Sequence, residues 1–388
     1  MNIKTDFCKE LDAIPPSGIR EFFELVQNKA SIISLGVGEP DFSTPKRIAQ
    51  AGIDSILKGS TSYTSNQGHP ELISSIQNYL KDSQGLTYQK NELLITNGAS
   101  EGIDLVFRAL CNRGDEVIVP SPSYVCYTPL LQLCGVNIKT IDTTKTNFIP
   151  DPQTIKKCIT SKTKALVLCS PNNPTGVCIP TQTLKEIAQL AKQFGFWIIS
   201  DEIYHELQYE KVIKSIANFN IKDQCVIISG FSKAFAMTGW RLGYMAGPNS
   251  LLSRCLKIHQ YSALCTPTMA QYAAIEALKK PFKEVEEMKA AYNERRKLML
   301  KTFNKLGFKT PNPTGAFYCF PDISSINMDG ESFARKLLEE QEVAVVPGTA
   351  FGQLGKNYIR CCYAYPLSHI KEALIRIENF VIKIKGVK

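Results

Sequence analysis

Between residues 92 and 245 the chain alternates short apolar runs with stretches whose apolar positions recur at helical spacing. The runs at 93–96, 117–120, 165–169, 196–200 and 226–229 are apolar almost throughout rather than at every second position. A strand with one wet face alternates; continuous apolarity predicts strands covered on both faces, as in a mostly parallel sheet with helices on either side. The connection at 183–194 shows how such a helix is written. Leu184, Ile187, Ala188 and Ala191 share one face, Thr183 and Glu186 have the spacing of a capping box, and Gly195 is placed to end the helix.

The rhythm differs at both ends of the chain. Pro16 would break off any earlier helix, and Ser17 is placed to cap one that carries Ile19, Phe22, Phe23 and Val26 on one face. Past Pro281, the positions Val285, Met288, Tyr292, Met299 and Phe303 predict a long amphipathic helix. Strands are then expected at 315–318 and 343–348, in a smaller unit. A chain of 388 residues exceeds the usual size of one compact domain. The expected fold class is α/β: a large domain with a mostly parallel, doubly wound sheet plus a smaller α/β domain.

Composition narrows the function classes. A hydrophobic content of 44% supports a sizeable core. The net charge of +9 is scattered, and no basic stripe interleaves with aromatics, so nucleic acid is not an expected partner. The 13 cysteines form no CxxC pair, and Cys169, Cys225 and Cys319 lie inside apolar runs. That pattern predicts a reducing compartment, without a disulfide framework or zinc site. His69, His205, His259 and His369 share no metal-ligand spacing. The N-terminus lacks a signal-peptide core and no run is long enough to span a bilayer, so the expected location is the cytoplasm.

A doubly wound sheet places its chemistry beyond the C-terminal ends of its strands, and the polar motifs of this chain fall there. Asn97-Gly98-Ala99-Ser100 opens a helix, where free N–H groups and the dipole make an anion site; the plainer reading is a turn and a cap. Tyr124 offers a flat face for an aromatic cofactor, or is simply a core tyrosine. Asn172-Asn173-Pro174-Thr175-Gly176 is at least a good turn. Asp201, ending a buried run, is costly unless it meets a positive group; a helix cap is the ordinary alternative. Arg360, in an otherwise apolar strand, reads as a bidentate clamp for a substrate α-carboxylate or as a salt-bridged structural arginine.

After the last of the apolar runs comes Ser229-Gly230-Phe231-Ser232-Lys233, with Arg241 bracketed by Gly239 and Gly243. A lysine so placed can form a Schiff base with a carbonyl cofactor while Ser232 and Arg241 neutralise a phosphate. This stretch, with the motifs above in the same order from Leu35 to Tyr363, resembles the class I and II pyridoxal-phosphate aminotransferases, in the branch of the prokaryotic aspartate and aromatic enzymes. Some relatives carry a hydroxyl residue where Gly230 stands, which leaves Ser229 and Ser232 as alternatives for the phosphate.

The resemblance implies an aspartate aminotransferase-like fold, with 1–45 as N-terminal arm and part of the small domain, 46–281 as the cofactor domain and 282–388 as the small domain. It implies pyridoxal 5'-phosphate held by Lys233, with Asp201 at the ring nitrogen, Tyr204 and Asn173 at the phenolic oxygen and Tyr124 stacked on the ring. Ala99, Ser100, Ser232 and Arg241 fall to the phosphate, and Gly38, Asn173 and Arg360 to the substrate. Tyr63 would reach the phosphate of a neighbouring subunit, which implies a homodimer with shared sites. The implied substrates are an amino acid, aspartate or aromatic, and a 2-oxo acid such as 2-oxoglutarate, in ping-pong exchange. Arg20 is a candidate cation for a side-chain carboxylate or a solvated arginine. A β-lyase on the same scaffold is the rival within the class. A non-catalytic cofactor sensor is the rival outside it, though the roughly thirty residues ahead of Leu35, where the resemblance starts, are too few for a DNA-binding domain of typical size.

Overall fold

In a computed structural model, which describes residues 9–16, 18, 31–280 and 282–386, the apolar runs become neighbours in one sheet. Its strands are β2 (Leu93–Thr96), β3 (Glu116–Ser121), β4 (Asn137–Asp142), β5 (Thr163–Cys169), β6 (Trp197–Asp201), β7 (Cys225–Gly230) and β8 (Gly243–Ala246). The order across the sheet is β2-β8-β7-β6-β5-β3-β4, and only β8 runs against its neighbours. Two strands escaped the sequence reading. β4 is an edge strand with half-exposed, polar positions, and β8 is short and opens on a glycine.

Successive residues of the central strands enter different cores, as a pleated sheet covered on both faces requires. Ala165, Val167, Ile199, Val226 and Ile228 pack with Ile103, Val106, Leu251 and Leu252 of the helices Gly98–Leu110 and Asn249–Ser262. Leu166, Leu168, Ile198 and Ile227 pack on the other side with Leu72, Ile76, Leu184, Ile187 and Ala273. Each fully buried aliphatic side chain contributes about 1.5–3 kcal/mol, so the alternation fixes the register strongly.

The second unit is built on β1 (Ile33–Ser34), β9 (Tyr318–Cys319), β10 (Val343–Ala344), β11 (Val346–Pro347) and β12 (Ile359–Cys362). β1 pairs with β10 in parallel, and β11, β12 and β9 form an antiparallel sheet. Its core takes Met288, Tyr292, Met299 and Phe303 from the helix Lys283–Lys305, the periodicity expected past Pro281.

Some local expectations need correction. The connecting helix spans Thr181–Phe194, so Thr183 lies inside it and is no cap. Pro180, with φ −59°, sets its entry instead, and Glu186 accepts a hydrogen bond from the Gln182 amide at 2.8 Å. Gly195 ends it in the left-handed region at φ 74°. Of the run 315–318 only Tyr318 joins a strand; Ala316, at φ 53°, turns the chain just before it. The expected helix bearing Ile19, Phe22, Phe23 and Val26, and Arg20 with it, lies outside the described residues.

Candidate active site

The register gathers the motifs on one edge of the large sheet. Cys169 lies opposite Asp201, and Asp201 opposite Ile228, so the chain segments leaving β5, β6 and β7 emerge side by side. Because β8 runs the other way, its first residue, Gly243, sits opposite both Gly230 and Thr96. Arg241, two residues earlier, is thereby brought to the start of the helix that follows Thr96. The fit is tight. A methyl group on Gly98 would meet Arg241 Nη2 at 2.8 Å, and one on Gly243 would lie 2.6 Å from the Gly98 carbonyl carbon.

A cavity of about 550 Å³ opens along this edge. Its lining includes Gly38, Ala99, Ser100, Tyr124, Asn173, Asp201, Tyr204, Ser232, Lys233, Arg241 and Arg360, which are the residues the resemblance assigned to cofactor and substrate apart from Tyr63. Tyr63 is 80% exposed on the single chain. Ser232 faces the cavity, whereas the Ser229 hydroxyl is turned away and donates to the Glu202 carbonyl at 3.2 Å.

Asp201 is buried at the end of β6. Burial pushes its carboxyl up to about 6, against hydrogen bonds from the Tyr127 hydroxyl at 2.6 Å and the Ile203 N–H at 3.2 Å. Lys233 sits in a turn anchored by the buried rings of Phe231 and Phe235. Its ammonium donates to the Gly38 carbonyl at 2.6 Å, and burial pushes it down to about 8. The Tyr204 and Tyr318 hydroxyls share a hydrogen bond of 2.7 Å beside it.

Arg360 comes from β12 of the small unit and is 2% exposed. Its guanidinium donates to Asn173 Oδ1 at 3.0 Å and to the Gly36 carbonyl at 2.5 Å, and lies 4.5 Å from the Tyr318 ring centre. Its Nε has no partner, and among the described residues no carboxylate pairs with it. A buried guanidinium held only by neutral oxygens is incompletely compensated, so a structural salt bridge does not account for it. The helix start and Arg241 at one end suit a phosphate, the buried Asp201 carboxylate suits a protonated ring nitrogen, and the Lys233 amine suits an aldehyde. This donor set fits pyridoxal 5'-phosphate.

Tyr127 and Tyr318 were missed from sequence. Tyr127 has no local signal beyond following Tyr124 by three residues, and Tyr318 stood in a run read as ordinary strand.

Comparison with known proteins agrees over nearly the whole chain. The family model for aminotransferase class I and II matches residues 30–377. The chain is 46% identical to a putative aminotransferase, YugH, of Bacillus subtilis, over 95% of this chain and 97% of that one. It is 43% identical to a probable aspartate aminotransferase of Methanocaldococcus jannaschii, over 95% and 96% of the two chains. A solved structure described as Pyrococcus protein-A1 superposes with a TM-score of 0.95 at 38% identity, covering 97% of this chain and 99% of that one. A match running from residue 30 to 377 takes in every strand of the described residues: the chain belongs to the class I and II aminotransferases, enzymes that in this fold depend on pyridoxal 5'-phosphate.

Proposed function

We propose that this aminotransferase moves the amino group of an L-amino acid, aspartate or an aromatic one favoured, to a 2-oxo acid such as 2-oxoglutarate by ping-pong exchange. The preference for aspartate follows the relative named for it, and the aromatic option follows the motif resemblance. The observation that carries the reading is the amine of Lys233, pushed down to about 8 and facing the same cavity as Asp201 and Arg360, whose guanidinium meets no carboxylate among the described residues.

In this reading Arg241, Ser232 and the N–H groups of Ala99 and Ser100 bind the phosphate of the cofactor, and Tyr124 covers its ring. Asp201, held by Tyr127, keeps the ring nitrogen protonated; Asn173 and Tyr204 donate to the phenolic oxygen. The bound cofactor supplies an electron sink for the bond broken at the substrate α-carbon. Arg360 orients the substrate by its α-carboxylate, with the Gly38 backbone on the other side. Lys233, its amine brought down to about 8 and so near physiological pH, would be the group that takes the α-proton. Because one carboxylate clamp serves one cavity, donor and acceptor acids occupy it in turn. Residues 46–281 form the cofactor domain, with 1–45 and 282–388 contributing the smaller one. Tyr63 acts on the cofactor of a second subunit in a homodimer.

A panel of amino donors with 2-oxoglutarate, followed by glutamate formation, tests the reading. Glutamate from aspartate or an aromatic donor is the expected result. Release of ammonia and pyruvate without any need for an oxo acid would replace it with a lyase. No turnover of any donor, despite a spectral change on adding amino acid, would leave a sensor.

A further inference from the structure

The helix Gly98–Leu110 begins with residues that line the cavity, Ala99 and Ser100, and the next residue is Glu101. That order poses an electrostatic problem. A carboxylate in the first turn is drawn to the same N–H groups and the same positive dipole end that would hold an anion. Burial pushes the Glu101 carboxyl up, but hydrogen bonds from His259 and Asn97 outweigh it and hold the group below the usual carboxylate range. Glu101 therefore stands ionised one residue from the anion site.

Its contacts keep it occupied elsewhere. Oε2 accepts from both the backbone N–H and the side-chain amide of Asn97, the residue that precedes the helix. Oε1 meets Nδ1 of His259 at 2.9 Å. His259 is fully buried in the last turn of Asn249–Ser262, which packs along the helix Gly98–Leu110, and among the described residues its Nε2 has no partner. A buried ring nitrogen without a partner costs free energy that an aliphatic side chain at that place would not incur. Among the described residues the imidazole has one polar side-chain contact, to Glu101. Neither Glu101 nor His259 lines the cavity.

We propose that His259 is a positioning residue for the phosphate end of the cofactor: it pins the Glu101 carboxylate onto Asn97 and so leaves the N–H groups of Ala99 and Ser100 and the guanidinium of Arg241 open to the anion. The proposal rests on the reading that Arg241 and this helix start take the phosphate. Released from His259, Glu101 swings toward the remaining first-turn N–H groups and competes with the phosphate for them.

The test compares the affinity of the full-length apoprotein for pyridoxal 5'-phosphate and for pyridoxal, which keeps the ring and aldehyde but lacks the phosphate. His259→Leu is expected to lower the ratio of the two affinities about tenfold, the scale of one charge-assisted contact. The loss falls on the phosphorylated ligand. His259→Asn, whose side-chain amide falls where Nδ1 stands, restores most of the ratio. Should the leucine variant fail to fold, Glu101→Asp is one methylene too short to hold both Asn97 and His259, and lowers the ratio likewise. An unchanged ratio in the folded variant, or equal losses for both ligands, overturns the role of His259. The underlying phosphate site is checked separately: Arg241→Ala should collapse the wild-type ratio, and a ratio that survives it removes that site instead.

Discussion

Lys233 and Asp201 are ionisable groups folded into a poor solvent for charge. The Lys233 amine falls from 10.5 to about 8, chiefly through burial. Between those values the folded protein binds fewer protons than the unfolded chain. The amine's contribution to stability is thus fully present above its unfolded value and is lost as pH falls through about 8. The difference is of the order of 2–3 kcal/mol, at the lower end because Lys233 keeps some surface open to the cavity. Cofactor-free Lys233→Met should accordingly be the more stable protein at pH 7, with its advantage shrinking toward pH 9.5 in urea melts. A gap independent of pH would mean that the amine is solvated in the fold. In the loaded enzyme, borohydride reduction and peptide mapping should place the label on Lys233, and Lys233→Ala should lose nearly all turnover.

Arg360 is tested at the same scale. It is buried and held by Asn173 and Gly36, with Nε unpaired. Arg360→Lys keeps the charge but not the paired donors. KM should rise for amino and oxo acids alike, by a factor corresponding to about 1.5–3 kcal/mol. Unaltered KM values for both acids would return Arg360 to a structural role.

Among the elements, the meeting of β8 with the helix Gly98–Leu110 carries the proposed phosphate site. Gly243 lies with its Cα against backbone, and an added methyl would sit 2.6 Å from the Gly98 carbonyl carbon and 2.7 Å from the Ala99 nitrogen. Backbone atoms cannot rotate away as a side chain does. Gly243→Ala should therefore cost about 1–3 kcal/mol by overpacking and weaken cofactor binding together with stability. Gly195→Ala is the contrast: at φ 74° it strains the helix end, but nothing lies within 4 Å. It should lower the melting temperature while leaving cofactor affinity alone. Equal effects of the two substitutions on affinity would argue against a cradle built by close approach.

At the scale of the whole molecule the test falls on Tyr63, which is outside the cavity lining and mostly exposed on a single chain. If it serves a second subunit, a Tyr63→Ala chain and an Arg360→Ala chain should complement each other. Their heterodimer concentrates both lesions in one site and leaves the other intact. Co-refolded mixtures should then exceed either parent in activity, toward a quarter of wild type for random pairing, because half of the dimers carry one intact site. No recovery in verified heterodimers would confine Tyr63 to its own subunit.

Much of this was legible along the chain because a parallel α/β sheet makes its chemistry local. Each motif follows its own strand, so Asn173 after β5, Asp201 at the end of β6 and Lys233 after β7 were bound for the same edge whatever the strand order. Continuous apolarity marked those strands, and a 3.6-residue period marked the helix Lys283–Lys305. What the tertiary structure alone decided depends on pairings between distant positions, which leave no periodic trace. The reversal of β8 sets Arg241 against Gly98, and Tyr127 reaches Asp201 from 74 residues away. Tyr318 meets Tyr204 across 114 residues, and Arg360 crosses from the second unit to Asn173. Sequence determined which groups face the edge of the sheet. Packing decided which of them touch, because a hydrogen bond needs ångström positions that only the assembled cores supply.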